Sequence, residues 1–294
     1  MISAHLVQFD ATPLDPERNF RRMRDYIRNQ SARGADLIIF PELSNTGYVE
    51  PLYPGGPIHA AVPHYGAALA AACADPGGED IASLAALATE LQVTIIAGLG
   101  LRDTRLAGVI YNVSMLFRPD GTTGTYIKTH QWQNEKLYFS PGTELPVFPA
   151  LGTTLGMQIC YDIRFPEVTR ALALQGAQII TSVWASFGPD AAPVSDPDLF
   201  VHRAYTRAVE NGVVFLSCNR AGLQGDQRFF GRSCAMGPDG SMLGRIDHDE
   251  ETVLEVEIDL ATISQYRSAT GLWADRRPSL YAPYFAAGKA QDDR

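Results

Sequence analysis

Four strand-length apolar runs in this chain each follow a segment with helical spacing: "ADLIIFPE", "VTIIAGLGLRD", "AQIITSVWAS" and "GVVFLSCNRAG". A short continuous apolar run bounded by turn residues is a strand buried on both faces, and the segments between supply helices to cover it. The alternation runs from end to end, so the chain reads as a layered α/β protein. Two stretches, "ARGADLIIFPELSNTG" and "ALQGAQIITSVWASFG", resemble each other as helix end, Gly-Ala, buried strand and polar exit. They predict two similar halves around paired sheets.

The first helix is signalled by Asp15-Pro16-Glu17, an N-cap, a first-turn proline and an acidic first turn. Phe20, Met23 and Ile27 follow at helical spacing and Gly34 ends it. A second helix begins near Asp80, with Ile81, Leu84, Leu87 and Leu91 on one face. Pro166 to Gln175 and Leu199 to Asn211 are two more. Hairpins are read around Pro119-Asp120-Gly121 and Pro238-Asp239-Gly240. Asn45 to Gly78, rich in Pro, Gly and Ala, is the longest irregular stretch and is expected to line a pocket. With no linker in view, residues 1–284 form one domain and 285–294 a tail, loosely ordered or used in subunit contacts.

A net charge of −9 argues against nucleic-acid or anionic-membrane partners, which need a basic surface. No apolar run approaches the roughly 20 residues of a membrane helix, and "MISAHLVQFD" shows no signal-peptide pattern. Cys73, Cys160, Cys218 and Cys234 are widely spaced, as reduced cytoplasmic thiols are. No residue set has metal-ligand spacing, His59 and His64 lie in a loop without partners, and no cofactor is expected.

"GMQICYDIRFPE" brings an apolar run to Cys160 and then a turn that opens a helix at Pro166. A thiol near a helix N-terminus gains thiolate character, although a lone strand cysteine is more often core. Cys73, Cys218 and Cys234 lack that context and are read as structural. Glu42 follows Pro41 at the end of an all-apolar strand, where residues of α/β sheets line ligand crevices. Apolar walls there would raise its proton affinity and suit it to proton transfer. Lys128 lies on the strand "GTYIKTH", with Glu135 seven residues on. Glycines 121 and 124 before Lys128-Thr129 have the wrong spacing for a phosphate loop, and "GLG" at 98–100 is too little for a dinucleotide fingerprint.

Taken together, "FPELSNTGY", "YIKTH" and "GMQICYDIRFPEVTRALALQGA" resemble the nitrilase (carbon–nitrogen hydrolase) superfamily. The resemblance extends through "RAVENGVVFLSCNR" and "GRSCAMGPDGSMLG" and so covers nearly the whole chain. It implies a four-layer αββα sandwich, paired into homodimers or higher homo-oligomers. It also implies Glu42 as general base, Lys128 as oxyanion-stabilising lysine, Cys160 as nucleophile and Glu135 as a second glutamate. The backbone N–H of Tyr161 would be the second oxyanion donor.

Such enzymes cleave amides, nitriles or carbamoylated amines. Nitrilases usually follow the cysteine with Trp-Glu, whereas Cys160 is followed by Tyr161-Asp162, closer to the amidases. A small-molecule amide is therefore the expected substrate, with an N-carbamoyl amine as the alternative. A nitrilase, or a non-catalytic binding module of the same fold, ranks lower. Tyr48, Trp184 and Arg164 are expected around the pocket. Arg164 either meets a substrate carboxylate or pairs internally with Asp162 or Glu167.

Overall fold

The computed structural model describes residues 1–48, 65–187, 198–225 and 227–286. In chain order the first half contains β1 (Ile2–Gln8), α1 (Pro16–Ala32), β2 (Leu37–Phe40), α2 (Tyr65–Ala72), α3 (Glu79–Glu90), β3 (Thr94–Arg102), β4 (Ile110–Phe117) and β5 (Thr123–Ile127). Then come α4 (Glu135–Tyr138), β6 (Val147–Ala150), β7 (Thr153–Ile159), a 3₁₀ turn (Cys160–Arg164), α5 (Pro166–Leu174), β8 (Ile179–Trp184) and α6 (Leu199–Asn211). The remainder holds β9 (Val214–Asn219), β10 (Leu223–Gln224), β11 (Gln227–Arg228), β12 (Cys234–Met236), β13 (Met242–Arg245), β14 (Thr252–Ile258), α7 (Ala261–Thr270) and α8 (Pro278–Ala286).

Among the described residues the strands form two six-stranded sheets, ordered β14-β1-β2-β3-β4-β5 and β13-β12-β9-β8-β7-β6, and a small β10-β11 ribbon. The parallel pairs are β1-β2-β3 in one sheet and β7-β8-β9 in the other. β2 and β8 are each the middle strand of a parallel triple, which accounts for the internal similarity of their segments. A strand flanked in parallel on both sides needs helical crossovers and covered faces, hence the complete burial of both, β2 with an all-apolar sequence and β8 with Thr181 and Ser182 in its middle.

Strand periodicity divides the core. Leu37 and Ile39 of β2 turn toward the other sheet, among Leu155, Met157 and Ile159 of β7. Ile38 and Phe40 turn the other way, onto Phe20, Met23 and Ile27 of α1 and Ile81, Leu84 and Leu87 of α3. On the far side, Val168 and Leu172 of α5 and Val201, Ala204 and Ala208 of α6 cover the second sheet. The layers are helix, sheet, sheet, helix, the four-layer sandwich that the resemblance implied.

The helix signals act locally as read. The Asp15 side chain accepts from Arg18 N at 3.1 Å, Pro16 opens α1, and Gly34 takes a left-handed φ of 89° beyond its end. One expectation changes. Residues 65–72 of the supposedly irregular 45–78 stretch are helical, because Tyr65, Leu69 and Ala72 bury one face; residues 49–64, with His59 and His64, lie outside the described residues. α8 runs to Ala286. No helix among the described residues is long and apolar enough to cross a membrane.

The "GLG" of β3 has a packing role. A Cβ on Gly98 would press on Pro41 O and come within 2.6 Å of Glu42 Cα. One on Gly100 would lie 2.9 Å from Cys73 Sγ. The bare strand lets the turn after β2 lie flat on its neighbour, and Ser44 N donates to Gly98 O at 2.7 Å. Asn45 clamps that turn, accepting from Gly100 N at 2.8 Å and donating to Gly100 O at 3.0 Å. Glu42 is thereby fixed where its strand leaves the sheet.

Candidate active site

Glu42 follows β2, Lys128 follows β5, Glu135 opens α4 and Cys160 follows β7. Lys128 Nζ donates to Glu42 Oε1 at 2.6 Å and lies 2.9 and 2.6 Å from Glu135 Oε1 and Oε2. All three side chains are fully buried. Glu42 Oε1 also accepts from Asn112 Nδ2 at 2.7 Å, while Glu42 Oε2 is buried without a partner among the described residues. Three carboxylate oxygens thus lie within hydrogen-bond reach of the ammonium, which has three hydrogens to donate.

Cys160 completes the group from the second sheet. In the parallel register Ile159 sits opposite Val183, which puts Cys160 level with Trp184. Glu42 N donates to that same Trp184 O at 3.3 Å, so acid and thiol flank one peptide of β8. The charges acting on the Cys160 thiol are those of Glu42, Lys128 and Glu135. Its Sγ lies 3.9 Å from Ser186 Oγ. Cys160 has a left-handed φ of 44°, a strained backbone for a residue with a Cβ.

Burial and then the Glu42 carboxylate push the Cys160 thiol far above its ordinary value, against the pull of Lys128. The resting group is therefore a thiol that needs a base. Burial opposes charge on Lys128 too, but Glu135 and Glu42 outweigh it and hold the ammonium well above its usual pKa. Glu135 is raised to about 7, by burial first and against Lys128, with Glu42 adding to the rise. Cys73, Cys218 and Cys234 are buried free thiols away from these charges.

The expected pocket residues divide. Tyr48 is buried, and its hydroxyl donates to Glu135 Oε1 at 2.5 Å. Trp184 lies in the core with its ring 4.6 Å from Phe200, and its backbone rather than its ring meets Glu42. Arg164 pairs with neither Asp162 nor Glu167; its guanidinium stacks 4.7 Å over Trp132 and 5.3 Å over Tyr161. Tyr161 N follows Cys160 in the 3₁₀ turn, as an oxyanion donor must.

Three features escaped the sequence reading. Asn112 sits within the strand "IYNVSMLF", and a lone amide in that apolar run was the available signal. Asp162 is fully buried and accepts from Ile159 N, Tyr126 OH, Thr129 Oγ1 and His130 N at 3.0, 2.7, 3.0 and 3.1 Å. It ties the turn bearing Cys160 to the strand exit bearing Lys128. Fully buried Arg220 donates to Gln224 Oε1 at 2.5 Å, and Gln224 holds both Tyr48 N and Tyr48 O, bracing the hydroxyl on Glu135.

With this geometry in hand, the family follows from comparison with known proteins. The chain belongs to the carbon-nitrogen hydrolase family, whose model matches residues 4–268. A nitrilase of Pyrococcus abyssi is 30% identical over 288 residues, covering 96% of this chain and 99% of the relative. An N-carbamoylputrescine amidase of Solanum lycopersicum is 30% identical, with 96% and 94% covered. The solved NitN amidase of Nesterenkonia sp. AN1 superposes with a TM-score of 0.74 at 28% identity, covering 97% of this chain and all of that one. A glutamate-to-glutamine mutant of the same amidase shows the result of Michael addition of acrylamide at its active-site cysteine. The protein is thus an amidase-like hydrolase acting on carbon–nitrogen bonds.

Asp162→Asn puts an amide among donors that all need an acceptor. It is expected to cost about 2–3 kcal/mol of stability, read as a lowered urea midpoint; an unchanged midpoint would show that the network does not hold the turn.

Proposed function

We propose that the protein hydrolyses a small carboxamide to a carboxylic acid and ammonia through a thioester on Cys160. The observation that carries this reading is the buried Glu42–Lys128–Glu135 cluster beside the thiol, with Glu42 Oε2 uncommitted among the described residues.

In this reading Glu42 Oε2 takes the proton of Cys160 as sulfur attacks the amide carbonyl carbon. Negative charge passes to the carbonyl oxygen, which accepts from the Lys128 ammonium and the Tyr161 N–H. Glu42 then returns the proton to the departing nitrogen, and ammonia leaves as the tetrahedral centre collapses to a thioester. Water attacks the thioester next, giving its proton to Glu42, and the acid departs as the thiol reforms. Glu135 and Tyr48 keep Lys128 charged and aimed. An uncharged amine could not stabilise the oxyanion, and the two carboxylates prevent that loss.

The Tyr-Asp after Cys160 supports an amidase ahead of a nitrilase. Similarity to an N-carbamoylputrescine amidase supports carbamoyl amines as the second reading, distinguished by release of carbon dioxide with ammonia. The four free cysteines support a reducing, cytoplasmic location. A homodimer or larger homo-oligomer belongs to the proposal as well. Leu174, Tyr205, Tyr281 and Phe285 are exposed, and a groove of about 440 Å³ runs between α5 and α8. Light scattering is expected to give at least twice the 32.0 kDa chain mass; a monomer at micromolar concentration would refute the assembly.

An ammonia-release screen over amides, carbamoyl amines and nitriles tests the reaction. Cys160→Ala is expected to lose at least about 10³-fold in kcat/KM, and undiminished release by that variant would exclude the mechanism. Because Glu135 takes up a proton near pH 7, and a neutral Glu135 no longer holds the Lys128 ammonium by charge, kcat/KM is expected to fall as pH drops through about 7. An acid limb at pH 4–5, the ordinary carboxylate range, would contradict that coupling.

A further inference from the structure

The Cys160 thiol has a hydrogen-bonding neighbour that takes no part in the proton transfers of Glu42. Ser186 Oγ lies 3.9 Å from Cys160 Sγ, within the longer reach of a contact to sulfur. Ser186 is buried, with 7% of its surface exposed. A buried serine hydroxyl usually donates to a backbone carbonyl close by, as Ser44 Oγ does to Pro41 O at 2.7 Å. Ser186 Oγ has no such carbonyl among the described residues, and its partner there is the sulfur.

The backbone imposes this position. β8 ends at Trp184. Two residues on, Ser186 N donates to Asn219 Oδ1 at 3.1 Å, and Ser186 O accepts from Phe230 N at 2.9 Å. Asn219, opposite Trp184 in the parallel register, is held in turn by donating from Nδ2 to Gly231 O at 2.6 Å. Both polar backbone atoms of Ser186 are therefore engaged, and the chain itself carries the hydroxyl to the thiol.

A neutral thiol is a weak acceptor, whereas a thiolate takes a charge-assisted hydrogen bond. The contact gains strength as sulfur gains charge. Burial first, then Glu42 and Glu135, oppose that charge, while Lys128 and Ser186 favour it. Lys128 acts by its charge, with carboxylate oxygens gathered round its ammonium. Ser186 supplies a hydrogen to the sulfur atom itself.

We propose that Ser186 is a further catalytic residue, its hydroxyl donating to the Cys160 sulfur whenever that atom carries negative charge. The proposal rests on Cys160 being the nucleophile. Sulfur becomes anionic twice in each turnover. It gives its proton to Glu42 as it attacks, and it later leaves with the electron pair of the C–S bond once water has added to the thioester. Serine keeps its own proton in both steps. Because the bond is made to the enzyme's own sulfur, its loss falls on kcat and not on KM.

Intact-mass kinetics of Cys160 alkylation by iodoacetamide test the contact, with Cys160→Ala marking background labelling. Sulfur forms the bond to the methylene carbon and iodide leaves. Ser186→Ala is expected to slow alkylation on the order of tenfold, and to move its rise with pH to higher pH. Ser186→Thr, which keeps a hydroxyl, should retain most of the wild-type rate, and both variants should keep the wild-type urea midpoint. With p-nitrophenyl acetate, the p-nitrophenolate burst and the steady-state release should both slow in Ser186→Ala, with KM little changed. Alkylation of Ser186→Ala at the wild-type rate and with an unmoved pH limb overturns the proposal, as does an equal loss in Ser186→Thr; either result leaves Cys160 standing as nucleophile. Wild-type labelling no faster than the Cys160→Ala background overturns both. Absence of ammonia release from every amide, with the alkylation difference intact, would refute the amidase reading alone.

Discussion

One buried ammonium between two carboxylates organises this molecule. Lys128 has no exposed side-chain surface, and neither do Glu42 and Glu135. Taking such charges from water is costly, and the cost is recovered only when geometry is close and the remaining hydrogen-bonding atoms are engaged. Here the contacts are 2.6 Å to each carboxylate, with Asn112 and Tyr48 adding donors. Removing both acids would strand the ammonium at a cost of at least about 3–5 kcal/mol. The ends of β2 and β5 and the start of α4 are therefore bound to one another by charge as well as by packing.

The second sheet meets this cluster through a strained turn. A cysteine at φ 44° sits in a region that costs about 1–3 kcal/mol for such residues unless its surroundings impose it. Asp162 imposes it, gathering donors from both sides of the turn. A further relay, from Arg220 through Gln224 and Tyr48, reaches Glu135 from the opposite side. The relay fixes the position of Glu135, whose charge, with those of Glu42 and Lys128, acts on the thiol.

The sequence was most legible where one residue has one physical reason. The cap of α1, the apolar parallel strands and the two Pro-Asp-Gly hairpins follow from local chemistry, and they form where read. Glu42, Lys128 and Cys160 were visible because polar residues at the ends of apolar strands are conspicuous. Asn112, Asp162 and Arg220 were not, since each acts on partners far along the chain. Asn112 and Glu42 are 70 positions apart, and no local spacing announces that bond. The glycines of β3 looked like a failed nucleotide motif. Their meaning needs the backbone of another strand lying across them. Of the readings of Arg164, the internal ion pair gave way to stacking on aromatic rings, which no local spacing announces.

The closing strand β14 pairs along the whole of β1, Ile2 opposite Ile258 through Gln8 opposite Thr252. β1 is thus flanked on both sides only once a segment far along the chain has come back to it, so the sheet whose strands lead into Glu42 and Lys128 is closed at one edge by a pairing of very long sequence range.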